Sequence, residues 1–155
     1  MGGEAHPAGR APVMRAAPAR VWARLGWRGL ALLISGVSWI SYGASIAVQP
    51  RYGTTRGIAV LLDLMPMHAW GWGWIACGLL CLVCCCLPAG RDTVGVLAAM
   101  APPLLWSVAY AMGGALGASP TAWGAVAPWG SHAVLIAIIA RVTRPKVLIP
   151  VVKHG

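Results

Sequence analysis

Charged residues are missing from four long stretches of this 155-residue chain, residues 30–48, 69–87, 94–116 and 122–140. A helix that rises about 1.5 Å per residue needs about 20 mostly apolar residues to cross a hydrocarbon core about 30 Å thick, and each stretch meets that length. The composition, 59% hydrophobic and 10% charged, also leaves too little polar surface for a water-soluble core of this size. We therefore predict an all-α fold, a polytopic membrane bundle of four transmembrane helices.

Acidic residues are scarce. The chain has three Asp and Glu residues in total and twelve Lys and Arg residues, which gives a net charge of +9. Asp63 and Asp92 both lie outside the four stretches, so no span carries the acid, base or nucleophile set of a transporter or membrane enzyme. We predict no catalytic residues, no metal and no cofactor. The basic excess does not indicate nucleic acid, because the spans separate the cations. Its expected partner is a lipid bilayer with an anionic inner leaflet.

Phe and Asn are absent and Lys is rare, whereas Ala, Gly, Arg and Trp are abundant. This bias is typical of a GC-rich genome and points to an actinobacterium or its phage. All five Cys residues lie within the second stretch, which excludes the disulfide-stapled loops of a small secreted domain. Because the first stretch is too long for a cleaved signal and follows an Arg-rich segment, we expect it to remain in the membrane.

The distribution of Lys and Arg predicts the orientation of the spans. Five cations precede residue 30, two lie between the first two stretches, one lies between the second and third, and four follow residue 140. Placing both termini in the cytoplasm puts ten of them inside and two outside, as the positive-inside rule requires. We predict location in the bacterial cytoplasmic membrane, with a basic N-terminal segment (1–29), a transmembrane domain (30–140) and a basic cytoplasmic tail (141–155).

Arginine and tryptophan side chains cluster at the ends of the stretches. Within residues 19–29, three arginines share one helical arc, which indicates a helix lying on the inner leaflet. Indole rings prefer the headgroup level, but Trp39 and Trp106 lie near mid-span and are expected to fill space between helices. The predicted lipid-interface anchors are Arg20, Arg24, Arg28, Trp27, Trp70, Trp72, Trp74 and Trp123.

The first connection, on the outer side in this topology, contains an amphipathic pattern. Ile58, Leu61, Leu62 and Met65 repeat at positions i, i+3, i+4 and i+7, which predicts a short amphipathic helix. This helix is either a surface cover for the bundle or a gate. We favour the cover, since irregular backbone at membrane depth needs protein or water around it.

Two sites in the connections are suited to begin helices. Asp92 can accept hydrogen bonds from the first amides of the third span and favours the positive end of its dipole. Ser119 followed by Pro120 offers a cap and a first-turn proline for the fourth span. The very short third connection therefore predicts a tight hairpin of the third and fourth spans.

Hydroxyl side chains share one face in several spans. In the first span, four of them follow the helical spacing i, i+3, i+4, i+7. Such faces let membrane helices approach closely and form hydrogen bonds with one another, and as a pore or substrate path they would be weakly polar, so we favour packing. The predicted polar interior of the bundle comprises Ser38, Ser41, Tyr42, Ser45, Ser107, Tyr110, Ser131 and His132.

Pro102 and Pro103 lie near the middle of the third span, where they remove backbone donors and should kink the helix. The freed carbonyl groups need new donors, for which Tyr42 and Ser107 are the candidates. The site is therefore a kink or a hinge, and a fixed bend is the default interpretation.

His132 is the one imidazole inside a span, which makes it a candidate for proton handling or ligand contact. No span offers it an acidic partner, so we favour a structural hydrogen bond.

Four cysteines share a helical face in the second stretch, which raises the alternative of a metal site or a thiol relay. Buried cysteine also packs as a small hydrophobe, and no His or carboxylate completes a tetrahedral site nearby, so we favour packing. These cysteines are Cys77, Cys81, Cys84 and Cys85.

Local motifs of Trp, Gly and Pro occur between residues 28 and 140. They are Arg28-Gly29-Leu30, Trp39-Ile40-Ser41-Tyr42-Gly43, Trp70-Gly71-Trp72-Gly73-Trp74-Ile75 and Ala101-Pro102-Pro103 followed by Trp106 and Tyr110. In these motifs the chain resembles small uncharacterised four-span membrane proteins of actinobacteria and their phages. The resemblance implies a four-span fold and a membrane location, and it implies no established activity.

Three functions are compatible with these features. The first is a non-enzymatic scaffold or accessory membrane component that acts through helix–helix contacts, as a homo-oligomer or with other membrane proteins. The second is a phage holin-like protein that forms membrane lesions, indicated by the small size, the several spans and the basic tail. The third is a small transporter. Small multidrug exporters have a similar length and span number, but they depend on a membrane-embedded acid that no span here provides.

Overall fold

The computed structural model describes residues 16–49 and 52–144, with side chains for residues 25–49 and 54–144. Over this part of the chain all regular structure is helical. The prediction of an all-α fold is confirmed. The helices are α1 (Ala16–Val48), α2 (Tyr52–Gly57), α3 (Ala59–Leu62), α4 (Met67–Cys84), α5 (Thr93–Ala115) and α6 (Trp123–Val142).

Four helical segments are long and apolar enough to cross a membrane, namely Leu25–Val48, Met67–Cys84, Thr93–Ala115 and Trp123–Val142. They overlap the four uncharged stretches, so the prediction of four helices long and apolar enough to span a membrane is confirmed. The first segment begins earlier than predicted and includes Arg28. A charge is tolerated there because Arg28 is paired within the protein.

The spanning helices pack in chain order, α1 against α4, α4 against α5 and α5 against α6, with a smaller contact between α6 and α1. The buried faces of α1, α4 and α5 supply most of the core. The least buried of the four spans is α6, whose buried residues are Ala133 and Ile136. Most of the apolar surface of α6 therefore faces outward.

Glycines at intervals of seven residues join α1 to α4. A Cβ atom added at Gly36 would lie 2.9 Å from the carbonyl oxygen of Gly78, and one added at Gly43 would lie 2.6 Å from that of Gly71. The two backbones approach more closely here than any side chain would allow. A seven-residue period keeps the same faces in contact along two helices that wind around each other with left-handed sense.

Gly26 divides α1 into two helical segments. Its backbone angles, φ 58° and ψ −178°, lie in a region that is essentially restricted to glycine. Residues 16–25 therefore form a separate helical segment at the start of α1, and the continuous helix of the first span begins after Gly26. The placement of this separate segment on a membrane surface stays a prediction, and the side chains of Arg20 and Arg24 lie outside the described residues.

The α5–α6 hairpin is closed by a left-handed glycine. Gly117 has φ 71°, the Ala118 amide donates to the Gly113 carbonyl at 2.9 Å, and the Gly117 amide donates to the Gly114 carbonyl at 3.2 Å. This pair of bonds is the Schellman arrangement, which ends a helix and reverses the chain. The predicted tight hairpin of the last two spans is confirmed.

The third span begins directly after Asp92 as predicted, but neither predicted side-chain cap forms. Asp92 precedes α5 but makes no side-chain capping bond, because its carboxylate is engaged by Arg28. Ser119 likewise does not cap α6, which begins at Trp123 after Ala122, and the Ser119 hydroxyl instead lies 3.2 Å from the Thr121 hydroxyl. In both cases a tertiary or loop contact replaces the local cap.

The first connection contains two short helices in place of the single amphipathic helix predicted from its pattern. The chain leaves helical geometry at Ile58, between α2 and α3, and Ile58 is fully buried. Leu61 is also buried, whereas Met65 is exposed because α3 ends before it. Both short helices pack on α5, with the Gly57 position in close contact with the ring of Tyr110.

Candidate functional site

The centre of the bundle is filled by seven rings from α1, α4, α5 and α6, here called the aromatic core. Trp74 lies in its middle, 2% exposed, with its ring centroid 5.0 Å from that of Trp39, 5.1 Å from Trp106 and 5.3 Å from Trp129. These pairs meet edge to face, the arrangement that the ring quadrupole favours. The core consists of Trp39, Tyr42, Trp70, Trp74, Trp106, Trp129 and His132.

The face of α4 on which Trp74 lies corrects its prediction as a lipid anchor. Trp70 and Trp74 lie one turn apart and face the bundle interior, whereas Trp72 lies on the opposite side of α4 and is 63% exposed. Trp74 is therefore a core residue, not an interface anchor. Trp70 is half-buried, and its indole N–H donates to the Leu61 carbonyl at 3.0 Å.

The three remaining predicted tryptophan anchors lie on the outside of the bundle. Trp27, Trp72 and Trp123 are all exposed. Outward placement is the position that an anchor requires, and their depth in a membrane stays a prediction. Trp39 and Trp106, by contrast, are buried between helices, so that prediction is confirmed.

Tyr42 and Trp106 form a polar link inside the aromatic core. The indole N–H of Trp106 donates to the Tyr42 hydroxyl at 3.0 Å, and the Tyr42 ring lies 4.6 Å from that of Trp74. Ser107 and Tyr110 are also buried, and the Ser107 hydroxyl donates to the Val126 carbonyl of α6 at 3.0 Å. Interior positions were correctly predicted for Tyr42, Ser107 and Tyr110.

Four other residues of the predicted polar interior lie on the outside of the bundle. Ser38, Ser41, Ser45 and Ser131 are exposed, so their predicted interior position is wrong. A serine can satisfy its hydroxyl on its own helix, and Ser45 and Ser131 each donate to the carbonyl three residues earlier. The glycines and Trp39 occupy the inner face of α1 instead.

The double proline of α5 is bridged by a tryptophan. Pro103 has no N–H to donate to the Ala99 carbonyl, and the indole N–H of Trp39 donates to that carbonyl at 3.3 Å. The observed donor is thus neither Tyr42 nor Ser107, which were the predicted ones. Pro102 and Pro103 are both buried, and α5 continues as one helix through them. This bracing from α1 favours a fixed bend over a hinge.

His132 lies at the edge of the aromatic core, with its ring centroid 4.7 Å from that of Trp39. Its Nε2 atom is buried and has no hydrogen-bond partner among the described residues, and the same holds for the Ser35 hydroxyl and the Trp74 indole nitrogen. His132 and Ser35 line a common cavity of about 230 Å³ between α1 and α6. The structural hydrogen bond predicted for His132 is therefore not formed by its Nε2.

At one end of the bundle, Arg28 joins three elements in an arrangement here called the arginine clasp. Its Nε and Nη2 donate to the two carboxylate oxygens of Asp92, the latter at 3.0 Å, and its Nη1 donates to the Ala140 carbonyl at 2.5 Å. The two charged side chains are 12% and 2% exposed. Arg28 is therefore a buried partner of Asp92 and not the predicted lipid anchor.

The clasp determines the protonation of Asp92. Burial alone would raise the pKa of its carboxyl group, but the hydrogen bonds from Arg28 and from the Gly90 amide outweigh burial and hold the pKa below its usual value. Asp92 is therefore ionised at neutral pH. The ion pair between Arg28 and Asp92 was not predicted from the sequence. The available signal was that the predicted topology places these two opposite charges at the same membrane face.

The cysteines of α4 pack against the beginning of α5. Cys81 and Cys84 are buried, the Cys81 thiol lies 3.5 Å from the Gly95 carbonyl, and a Cβ atom at Gly95 would lie 2.4 Å from that of Cys84. These contacts are those of small packing side chains. Among the described residues, no group of three or more His, Cys, Asp or Glu side chains is arranged to hold a metal ion.

The described residues thus provide packed rings, a close glycine contact and a buried ion pair. No family model, curated protein or solved structure matches the chain.

Proposed function

We propose that this chain is a non-enzymatic multi-pass membrane protein that acts through helix–helix contacts, as a scaffold or accessory component. The observation that carries the proposal is the filled centre of the bundle. Trp74 and Trp106 are almost entirely enclosed by neighbouring rings and helices. Rings that occupy the space between the spans support a packing role and leave an isolated copy without an evident conduction path.

An outward face of α1 supplies the contact surface. Ser38, Ser41 and Ser45 are exposed at intervals of three and four residues, beside the exposed Ile34 and Val37. Small hydroxyl side chains let a second helix approach closely, and each hydrogen bond across such a contact contributes about 0.6 to 2 kcal/mol in a membrane. The partner is a second copy of the chain or another membrane protein.

The proposed setting is the cytoplasmic membrane of an actinobacterium or of a cell infected by its phage. Both termini lie in the cytoplasm, and α2 and α3 form the cover of the outer face. The cation distribution supports this orientation. The arginine clasp and the carboxyl end of α6 are then at the cytoplasmic end.

Site-specific photo-crosslinking tests the contact surface. A benzophenone amino acid replaces Ser41 on the proposed face, and in a matched control it replaces Leu79, an exposed residue of α4. We expect a discrete protein adduct from position 41 and none from position 79, in membranes of the expressing bacterium. Equal adducts from both positions, or lipid adducts alone, would contradict the proposal.

The membrane potential of the same cells separates the alternative functions. A scaffold leaves the potential unchanged when the chain accumulates in the membrane at verified levels. Abrupt depolarisation with growth arrest would overturn the proposal in favour of holin-like lesion formation. A gradual, substrate-dependent loss of potential would overturn it in favour of transport.

A further inference from the structure

A groove of about 590 Å³ lies between the beginning of α5 and the end of α6, next to the arginine clasp. Three arginines line it, Arg28 from α1 and Arg141 and Arg144 from the last turn of α6 and the residues after it. Arg28 is neutralised by Asp92, but among the described residues no carboxylate lies within ion-pair distance of Arg141 or Arg144. The mouth of the groove therefore carries uncompensated positive charge.

The backbone around the groove adds to the positive electrostatic potential of the arginines. The groove borders Thr93, the first residue of a 23-residue helix, whose amino end carries partial positive charge. The Ala140 carbonyl, which would otherwise present a negative dipole at the helix end, accepts a hydrogen bond from Arg28. Arg28 thus both holds the wall of the groove and masks the group that would repel an anion.

One wall of the groove is apolar. Val96, Leu97 and Met100 of α5 face Ala137 of α6 across it. Leu97 is 60% exposed on the outer surface of the spanning helix, so the groove opens sideways toward the region of lipid chains. The volume lies within the range of small-molecule sites and exceeds that of a free phosphate ion.

We infer that this groove binds one anionic phospholipid, with its phosphate at Arg141 and Arg144 and an acyl chain along Val96, Leu97 and Met100. Basic pockets at the ends of spanning helices recognise lipid headgroups of this kind. The charge at the mouth, the apolar wall and the sideways opening together match a phospholipid better than a soluble anion. The inference goes beyond the proposed helix contacts and does not depend on them, because the α1 contact face is a different surface.

Native mass spectrometry of the full chain in detergent tests the site. The protein is titrated with phosphatidylglycerol and, in parallel, with zwitterionic phosphatidylcholine. We expect one retained phosphatidylglycerol per chain and a weaker, unsaturated response to phosphatidylcholine. Each arginine near an anionic lipid contributes about a fivefold factor, so the Arg141→Gln/Arg144→Gln variant should bind phosphatidylglycerol about 25-fold more weakly.

Arg91→Gln is the matched charge control. Arg91 is exposed in the loop before α5 and does not line the groove, so its replacement should change affinity by less than about twofold, as expected for a screened surface charge. If Arg91→Gln lowered the affinity for phosphatidylglycerol as much as the single variant Arg141→Gln, the lipid would be attracted by the general surface charge. That result would overturn the proposed binding site. Far-ultraviolet circular dichroism confirms that each variant keeps its helices.

Two further arms identify the source of the phosphate. Ala137→Trp fills the apolar wall without altering charge, and it should abolish retention of phosphatidylglycerol. Inorganic phosphate at the same concentration should not displace the lipid. Displacement by inorganic phosphate, or unchanged lipid retention in Ala137→Trp, would overturn the assignment of a phospholipid.

Discussion

Two side chains, Arg28 and Trp39, each satisfy a backbone carbonyl of another helix. Arg28 reaches Ala140, and Trp39 reaches Ala99 next to the double proline. A buried carbonyl group that is left without a donor costs about 1 to 3 kcal/mol of stability. Single polar side chains therefore hold the arrangement of helices that are mainly apolar.

Removal of the Asp92 charge should destabilise the bundle and change its response to acid. Asp92→Asn leaves Arg28 buried without a counter-charge, and the expected loss in free energy of unfolding is about 3 kcal/mol. Since the folded-state pKa of Asp92 is lowered, the pair stabilises the native protein above the ordinary pKa of 3.8 and loses that effect as pH falls through the lower folded value. Unfolding in mixed micelles, followed by tryptophan fluorescence from pH 6 to pH 2, measures both effects.

The matched control for this prediction is Asp63→Asn, because Asp63 is exposed in the first connection. Its acid response should follow that of the native chain. In Asp92→Asn the additional fall in stability below about pH 4 should be missing. Parallel acid curves for the native chain and Asp92→Asn would refute a stabilising role of the clasp.

A double-mutant cycle tests the bracing of the proline site. Trp39→Phe removes the donor to the Ala99 carbonyl and should cost about 1 kcal/mol of stability. Pro103→Ala restores a backbone N–H to the same carbonyl, so the cost of Trp39→Phe should fall in that background. The coupling energy between the two changes should be about 1 kcal/mol, measured by unfolding in micelles. Trp129→Phe is the control, and its loss in free energy of unfolding should be the same whether residue 103 is Pro or Ala. If Trp39→Phe also lost the same free energy of unfolding in both backgrounds, the indole of Trp39 would not brace the proline site.

At the level of the elements, the pairing of α1 with α4 depends on missing side chains. Gly43→Ala would place a Cβ atom 2.6 Å from the Gly71 carbonyl, whereas Gly73→Ala on α4 meets nothing within 4 Å. Forcing the two backbones apart should cost about 1 to 3 kcal/mol in Gly43→Ala. Gly73→Ala should leave stability unchanged or raise it by up to about 1 kcal/mol through helix propensity. Equal effects of the two substitutions on unfolding would show that the close approach does not stabilise the pair.

The spans could be predicted from the sequence because the absence of charge over 19 or more residues is a local property. Helical period also identified which serines share a face of α1, but it could not identify which neighbour that face meets. The glycines at positions 36 and 43 hold the inner face, so Ser38, Ser41 and Ser45 point outward. Their seven-residue interval was visible in the sequence, but its meaning required knowledge that α1 pairs with α4.

The candidate site was less predictable because its contacts are remote along the chain. Arg28 lies 64 residues from Asp92 and 112 residues from Ala140. Trp39 similarly reaches Ala99 across 60 residues. Sequence patterns predict that Arg28, Asp92 and Ala140 lie near the ends of spans and that Trp39 lies near the middle of one. The choice of partner depends on how the four spans pack in three dimensions.

On the scale of the whole molecule, the proposed orientation places the loop between α4 and α5 in the cytoplasm. Cys86 in this loop is exposed, whereas Cys85 beside it is buried. Burial, together with the neighbouring thiol of Cys86, raises the pKa of Cys85 to about 11, so Cys85 stays a thiol at pH 7. Because Cys86 is exposed and Cys85 is a buried thiol, a maleimide that does not cross membranes should label Cys86 first.

Labelling from the two sides of the membrane tests the orientation. We expect the maleimide to label Cys86 in inverted membrane vesicles and not in intact cells, and Cys86→Ser should abolish the signal. In the Cys86→Ser background, an added Asp63→Cys in the first connection should show the opposite pattern, because that connection is proposed to face outward. Four spans place successive connections on alternate sides of the bilayer. Cytoplasmic termini therefore require that Cys86 is labelled from the inside and position 63 from the outside. Labelling of Cys86 in intact cells, with none at position 63, would reverse the orientation and place the phospholipid groove in the outer leaflet.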